Sequence, residues 1–156
     1  MRKPMYLLAL LGLAVTLFGA DPFSGTWKLN IAKSKFPAGR NPAPKEITAV
    51  IREQVDETEV TVKGTAVDGS PIAAHYTVPP KRKGALKSAE DSAGSTVTSR
   101  RIDDRTIDSA TTRDGKQIQT SHSVVSRDGK TLRMTIRGFD SQGKPVEEGY
   151  QVYEKQ

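Results

Sequence analysis

RTIDSATTRDGKQIQTSHSVVSRDGKTLRMTIR, residues 105–137, decides how this chain folds. The tetrapeptide Arg113-Asp114-Gly115-Lys116 returns as Arg127-Asp128-Gly129-Lys130, and each copy stands between runs whose apolar residues recur at every second position. Asp-Gly supplies the positive φ that tight antiparallel hairpins demand, so the two copies read as two successive hairpin tips. Period-two alternation marks strands with one buried face. Helical spacing is absent from the chain beyond its first twenty residues.

The same punctuation extends in both directions, at Asp68-Gly69, Asp103-Asp104 and Gln142-Gly143. It predicts nine strands, to within one, near residues 24–30, 46–54, 57–66, 71–78, 95–102, 105–112, 117–126, 131–138 and 146–154. Hairpin tips join neighbours directly, so the predicted fold is all-β, an antiparallel up-and-down meander of eight to ten strands. A twisted sheet of that size removes its edges by curling into a barrel. Two segments depart from the pattern. Residues 31–45 carry Pro37, Gly39, Pro42 and Pro44, and are predicted to cross one barrel end as an irregular excursion with at most one helical turn. The stretch from Pro79 to Ser95 is predicted to be a loop or a ragged edge strand.

Residues 1–20 combine Arg2 and Lys3 with an uncharged run from Met5 to Ala20, the pattern of a signal peptide. The run is short for a bilayer span. Small residues Gly19 and Ala20 precede Asp21, but Phe18 stands where a small side chain is preferred, which leaves retention as an N-terminal anchor as the alternative and the one membrane attachment expected. One domain, residues 21–156, follows. With no cysteine in the chain, a lipidated cysteine, disulfides, thiolate metal sites and a cysteine nucleophile are excluded. Export without disulfides fits a bacterial periplasmic or secreted protein. Loss of Arg2 and Lys3 takes the formal charge from +6 to +4, a mild bias towards anionic partners. The densest basic cluster is Lys81, Arg82 and Lys83, bracketed by proline and glycine, and it reads either as a solvated loop or as an anion-contacting rim. It lacks the interleaved aromatics of a nucleic-acid surface, so no nucleic-acid partner is expected.

If the apolar face points inward, the interior holds Trp27, Val60, Val62, Ile72, Ala74, Tyr76, Val78, Ile107, Ile118, His122, Val124, Leu132, Met134 and Ile136, with Ser109, Thr111 and Thr120 among them. Such a mixed interior suits a partly hydrated cavity better than an oily core.

The segment Asp21-Pro22-Phe23-Ser24-Gly25-Thr26-Trp27-Lys28-Leu29 resembles the opening of the calycin group, the lipocalins and fatty-acid-binding proteins, with their Gly-x-Trp in the first strand. Glycine there allows close approach at the barrel floor while the Trp plugs that end. Tyr150-Gln151-Val152-Tyr153-Glu154-Lys155 resembles the terminal strand of the fatty-acid-binding family, and Asp103-Asp104-Arg105 with its following hairpins is similar to that family's second half. Residues 31–94 show no match. The resemblance implies a calycin-like barrel. In the fatty-acid-binding family an arginine and a tyrosine of the last strand hold a ligand carboxylate. Tyr153 matches the tyrosine, but Gln151 stands at the arginine position, and an amide brings no charge to a carboxylate. The family's helical lid is replaced by the proline-rich excursion. Alternation would face Val146, Tyr150 and Val152 inward, whereas the resemblance faces Gln151 and Tyr153 inward; the second orientation is adopted here.

No nucleophile elbow, zinc-binding helix motif or phosphate-cradling glycine loop occurs. His75 and His122 fall on opposite faces, and adjacent carboxylates such as Asp103-Asp104 point apart on a strand, so no catalytic residue, metal site or cofactor is expected. The expected function is that of an exported, lipocalin-like barrel that binds a small apolar or amphipathic ligand through Trp27, His122, Met134, Gln151 and Tyr153. The alternative is a non-enzymatic cell-envelope module with a filled barrel, whose loop of Lys81, Arg82 and Lys83, with Lys87, contacts anionic polymers.

Overall fold

The computed structural model describes residues 19–37, 42–90 and 94–156. The leader expected over residues 1–20 therefore lies, apart from Gly19 and Ala20, outside the described residues, as do residues 38–41 of the proline-rich excursion and 91–93 of the second irregular segment.

Ten strands form one antiparallel sheet: β1 (Gly25–Leu29), β2 (Glu46–Glu53), β3 (Thr58–Thr65), β4 (Pro71–Val78), β5 (Leu86–Glu90), β6 (Thr96–Asp103), β7 (Thr106–Arg113), β8 (Lys116–Val125), β9 (Thr131–Phe139) and β10 (Pro145–Lys155). The pairing order is β4-β3-β2-β1-β10-β9-β8-β7-β6-β5. The meander barrel expected from the sequence is thus the observed fold, and its first and last strands are neighbours: Trp27 stands opposite Lys155 and Leu29 opposite Tyr153. Closure is incomplete. No ladder joins β4 to β5, so the ring is interrupted by one seam there. The strand absent from the nine-strand count is β5, inside the segment expected to be a loop or ragged edge.

The tips follow local chemistry. Asp114 (φ 51) and Gly115 (φ 73) both take positive φ, as a two-residue hairpin with matched twist requires. At the Asp128-Gly129 tip, the Asp128 carboxylate accepts from the Ser126 hydroxyl and the Lys130 N–H, and these bonds hold its pKa below the usual carboxylate range. Beyond β1 the chain makes a 3₁₀ turn (Ile31–Lys33) and then rejoins β10, with mutual backbone hydrogen bonds between Lys35 and Tyr150. Pro37 next crosses Gly149, where any β-carbon would lie 2.6 Å from the proline ring. The described part of the excursion thus runs beside β10 beyond the end of β1.

The core gathers Phe23, Trp27, Leu29, Ala49, Ile51, Val60, Ile107, Val125, Leu132 and Tyr153, with Phe36, Ile47, Val62 and Val78 packed against it. Trp27 is wholly buried and donates its indole N–H to the Phe23 carbonyl at 2.7 Å. Lys155 lies over the indole and also across Gly25, whose φ of 131 excludes other residues.

Candidate functional site

Beneath Phe23 the closed end holds an ion pair with no solvent exposure on either side chain, Arg101 with Asp21. Arg101 Nη2 donates to Asp21 Oδ2 at 2.6 Å and to the Pro79 carbonyl at 3.2 Å, while Nη1 donates to Asp21 Oδ1 at 3.2 Å and to the Asp104 carbonyl at 3.4 Å. The guanidinium also stacks 4.9 Å from the centre of the Phe23 ring. Because Pro79 directly follows β4, Arg101 of β6 ties the two sides of the seam together at this end. Lys87 and Glu57, 2.6 Å apart, make a second and more exposed tie, from β5 to the turn before β3.

Above the core lies a cavity of about 250 Å³. Its wall is chemically mixed. Ser99 stands opposite Ser109, and Ser109 opposite Ser121, on three adjacent strands. With Ser123, Thr111 and Gln119 they make a polar stripe, and Ser99 and Ser109 share a hydrogen bond of 2.7 Å. Val97 and Ile107 lie on the same strands as the serines, Leu132 and Met134 follow on β9 with Met134 opposite Ser123, and Ile51, Val60 and Val78 come from β2, β3 and β4. The Tyr153 hydroxyl donates to Gln151 Oε1 at 2.7 Å. Burial raises the Tyr153 pKa well above the ordinary phenol value, and desolvation also raises that of Tyr76, even though 40% of Tyr76 surface is still reached by solvent. Tyr76, Thr77 and Val78 of β4 and Ala89 and Glu90 of β5 line the cavity too, so it reaches the surface at the unpaired seam.

Of the residues expected to contact a ligand, Met134 and Tyr153 line this cavity, and Gln151 touches it through the Tyr153 hydroxyl. Trp27 lies in the core behind Phe23, away from the lining. The inward placement of His122 is corrected: its side chain is 56% exposed on the outer face, where Nδ1 meets Asp108 Oδ1 at 2.5 Å. Ile118, Thr120 and Val124 turn outward with it, while Gln119, Ser121, Ser123 and Val125 face in. The cause is a tie in local hydrophobicity. Val124-Val125 offers an apolar residue to either face, a register irregularity interrupts the β7–β8 ladder near Thr111, and Val125 wins its place opposite Leu132 in the core.

Sequence reasoning placed Ser109 and Thr111 inward but missed Ser99, Ser121, Ser123 and Arg101. The available signal for Arg101 was phase, since Val97, Ser99 and Arg101 alternate with the exposed Thr98, Arg100 and Ile102. In the basic loop, Arg82 and Lys83 are exposed, and Lys81 donates to the Gly19 carbonyl. Asp103 lies close enough for Lys83 to add to the lowering of its pKa, which comes first from the Arg105 N–H. Among the described residues no group of three or more His, Asp and Glu gathers to hold a metal ion, and no helix is long and apolar enough to cross a membrane.

Together these features define a class: a nearly closed antiparallel barrel of ten strands around a cavity of mixed lining that opens at one seam. Among solved structures, zebrafish ileal bile acid-binding protein complexed with cholic acid is similar, at 13% identity and a TM-score of 0.48, over 86% of this chain and 99% of that one. At those values the likeness reaches no further than the general course of the chain, and the barrel is established by its own strand pairing. No family model matches the sequence, and no curated protein matches it.

Proposed function

We propose that this chain is an exported, periplasmic or secreted, non-enzymatic carrier of one small, uncharged, amphipathic molecule. The observation that carries the reading is the cavity of about 250 Å³, whose mostly aliphatic lining is crossed by a stripe of serines. Its size is near the lower end of small-molecule sites, and such sites are mostly apolar with a few placed polar groups. The charge of the ligand follows from the lining. Arg101, buried at the cavity's end, is committed to Asp21, and among the described residues Glu90 is the only charged one in the lining. An anion inside would be desolvated without a counter-ion, which costs several kcal/mol. A neutral ligand with hydroxyl or carbonyl groups along one edge satisfies the serine stripe and Gln119, and fills the space beside Met134. The alternative of a filled barrel acting through its basic loop is less well supported, because the barrel is hollow and Asp103 partly offsets the loop.

The test compares dodecanol with laurate, ligands of equal chain length that differ in charge, as competitors for an uncharged environment-sensitive dye. Dodecanol is expected to displace the dye at concentrations at least about tenfold lower, the equivalent of 1.4 kcal/mol. Preference for laurate would overturn the claim about charge. Failure of the dye and of both competitors to bind would overturn the carrier reading.

A further inference from the structure

We propose that the chain is cut between Ala20 and Asp21, and that the new α-ammonium of Asp21 completes a site at the closed end of the barrel with the Glu53 carboxylate as its counter-ion. The inference rests on the export reading, and it is independent of what the cavity holds.

Burial changes abruptly at this bond. Gly19 and Ala20 are exposed, whereas Asp21 is 1% exposed. Each polar group of Asp21 is already engaged. Its carboxylate takes Arg101 and the Phe23 N–H, its carbonyl accepts from the Ser24 N–H, and its own N–H donates to Glu53 Oε2 at 3.1 Å. The preceding described residues are held differently, by the Lys81 ammonium on the Gly19 carbonyl. The fold thus treats residue 21 as its first structural residue, and an exposed carboxylate waits at its nitrogen. A carboxylate is a stronger partner for an ammonium than for an amide N–H, because the bond becomes charge-assisted.

The cut is a hydrolysis in which water adds across the Ala20–Asp21 bond. Ala20 leaves with the leader as a carboxylate, and Asp21 keeps the nitrogen as an ammonium with three N–H groups in place of one. The catalyst is an endopeptidase of the export route that accepts small residues before the cut. Once the barrel forms, Asp21 is packed beneath Phe23, so cleavage comes before folding.

Two measurements test this. The intact mass of the chain exported by a bacterial host carrying the full 156-residue sequence is expected to be that of residues 21–156. A cut at another bond, or none, overturns the proposal. Urea unfolding at low salt is then compared for a chain beginning at Asp21 and one retaining Gly19 and Ala20, each with Glu53 and with Glu53→Gln. Since Glu53 is exposed, the free ammonium is expected to raise the folding constant only about two- to fivefold. That gain should vanish in the Glu53→Gln pair and shrink in 1 M salt. Equal stabilities, or a gain that survives Glu53→Gln, would overturn the ion pair. A failed dye titration would leave both measurements unchanged, and so speaks only against the carrier.

Discussion

Replacing Arg101 by methionine removes the buried guanidinium from the closed end while keeping an unbranched chain of similar reach. The wild-type guanidinium makes four hydrogen bonds there, two of them to the Asp21 carboxylate, and neither partner is exposed. Without Arg101 the carboxylate keeps the Phe23 N–H and loses its side-chain counter-ion. Breaking a buried pair from one side typically costs about 3–5 kcal/mol, because a charge is left desolvated. Against a typical domain stability of about 5–15 kcal/mol this is a large fraction. With an m-value of about 1.5 kcal/mol/M, it lowers the urea midpoint by about 2–3 M. The assay is equilibrium unfolding followed by the fluorescence of Trp27, the single indole of the chain. Asp21→Asn is expected to cost a similar amount, since it leaves the guanidinium buried and unpaired. The double variant Asp21→Asn/Arg101→Met removes both charges and should recover about half of the single-variant loss. A cost below about 1 kcal/mol for Arg101→Met, or a double variant no better than the worse single one, would refute the claim that this pair locks the seam.

His122→Ala, on the outer face, is expected to leave dye affinity within about twofold, whereas Ser121→Phe, inside the cavity, should weaken it about tenfold or more, both by fluorescence titration. Ala89→Trp at the seam should slow dye association in stopped-flow traces more than it changes the final affinity. Desolvation raises the Tyr153 pKa in the folded state above the ordinary value of 10.0, so the folded chain holds that proton more tightly than the unfolded one. The associated stability is complete below pH 10 and is lost as the pH rises beyond it; unfolding curves at increasing alkaline pH should show a smaller decline for Tyr153→Phe. Gly64→Ala sets a methyl directly against the Glu46 carbonyl of β2, and should cost about 1–3 kcal/mol in thermal or urea unfolding.

What could be read from the chain depended on how local the deciding interaction was. Asp114-Gly115 and Asp128-Gly129 choose their backbone conformation from their own side chains, so the meander from Thr96 to Lys155 was legible before any tertiary contact was known. The floor was legible through resemblance, because Gly25-Thr26-Trp27 is similar to the Gly-x-Trp that opens calycin chains. The site was only half legible. Met134 and Tyr153 lie on strands with an unambiguous inward face, or a matched one, and both line the cavity. His122 lies on β8, where apolar residues occupy both faces, and local alternation carries no preference there.

By itself the sequence determined the class of fold, the antiparallel order of the hairpins and the absence of any cysteine chemistry, all of which depend on near neighbours or on composition. Only the tertiary structure decided where the ring stays open, which face of β8 looks inward, and that Asp21 and Arg101, eighty residues apart, meet without water. Those outcomes turn on pairings between distant segments. Their energy depends on burial, and burial exists only once the barrel has formed.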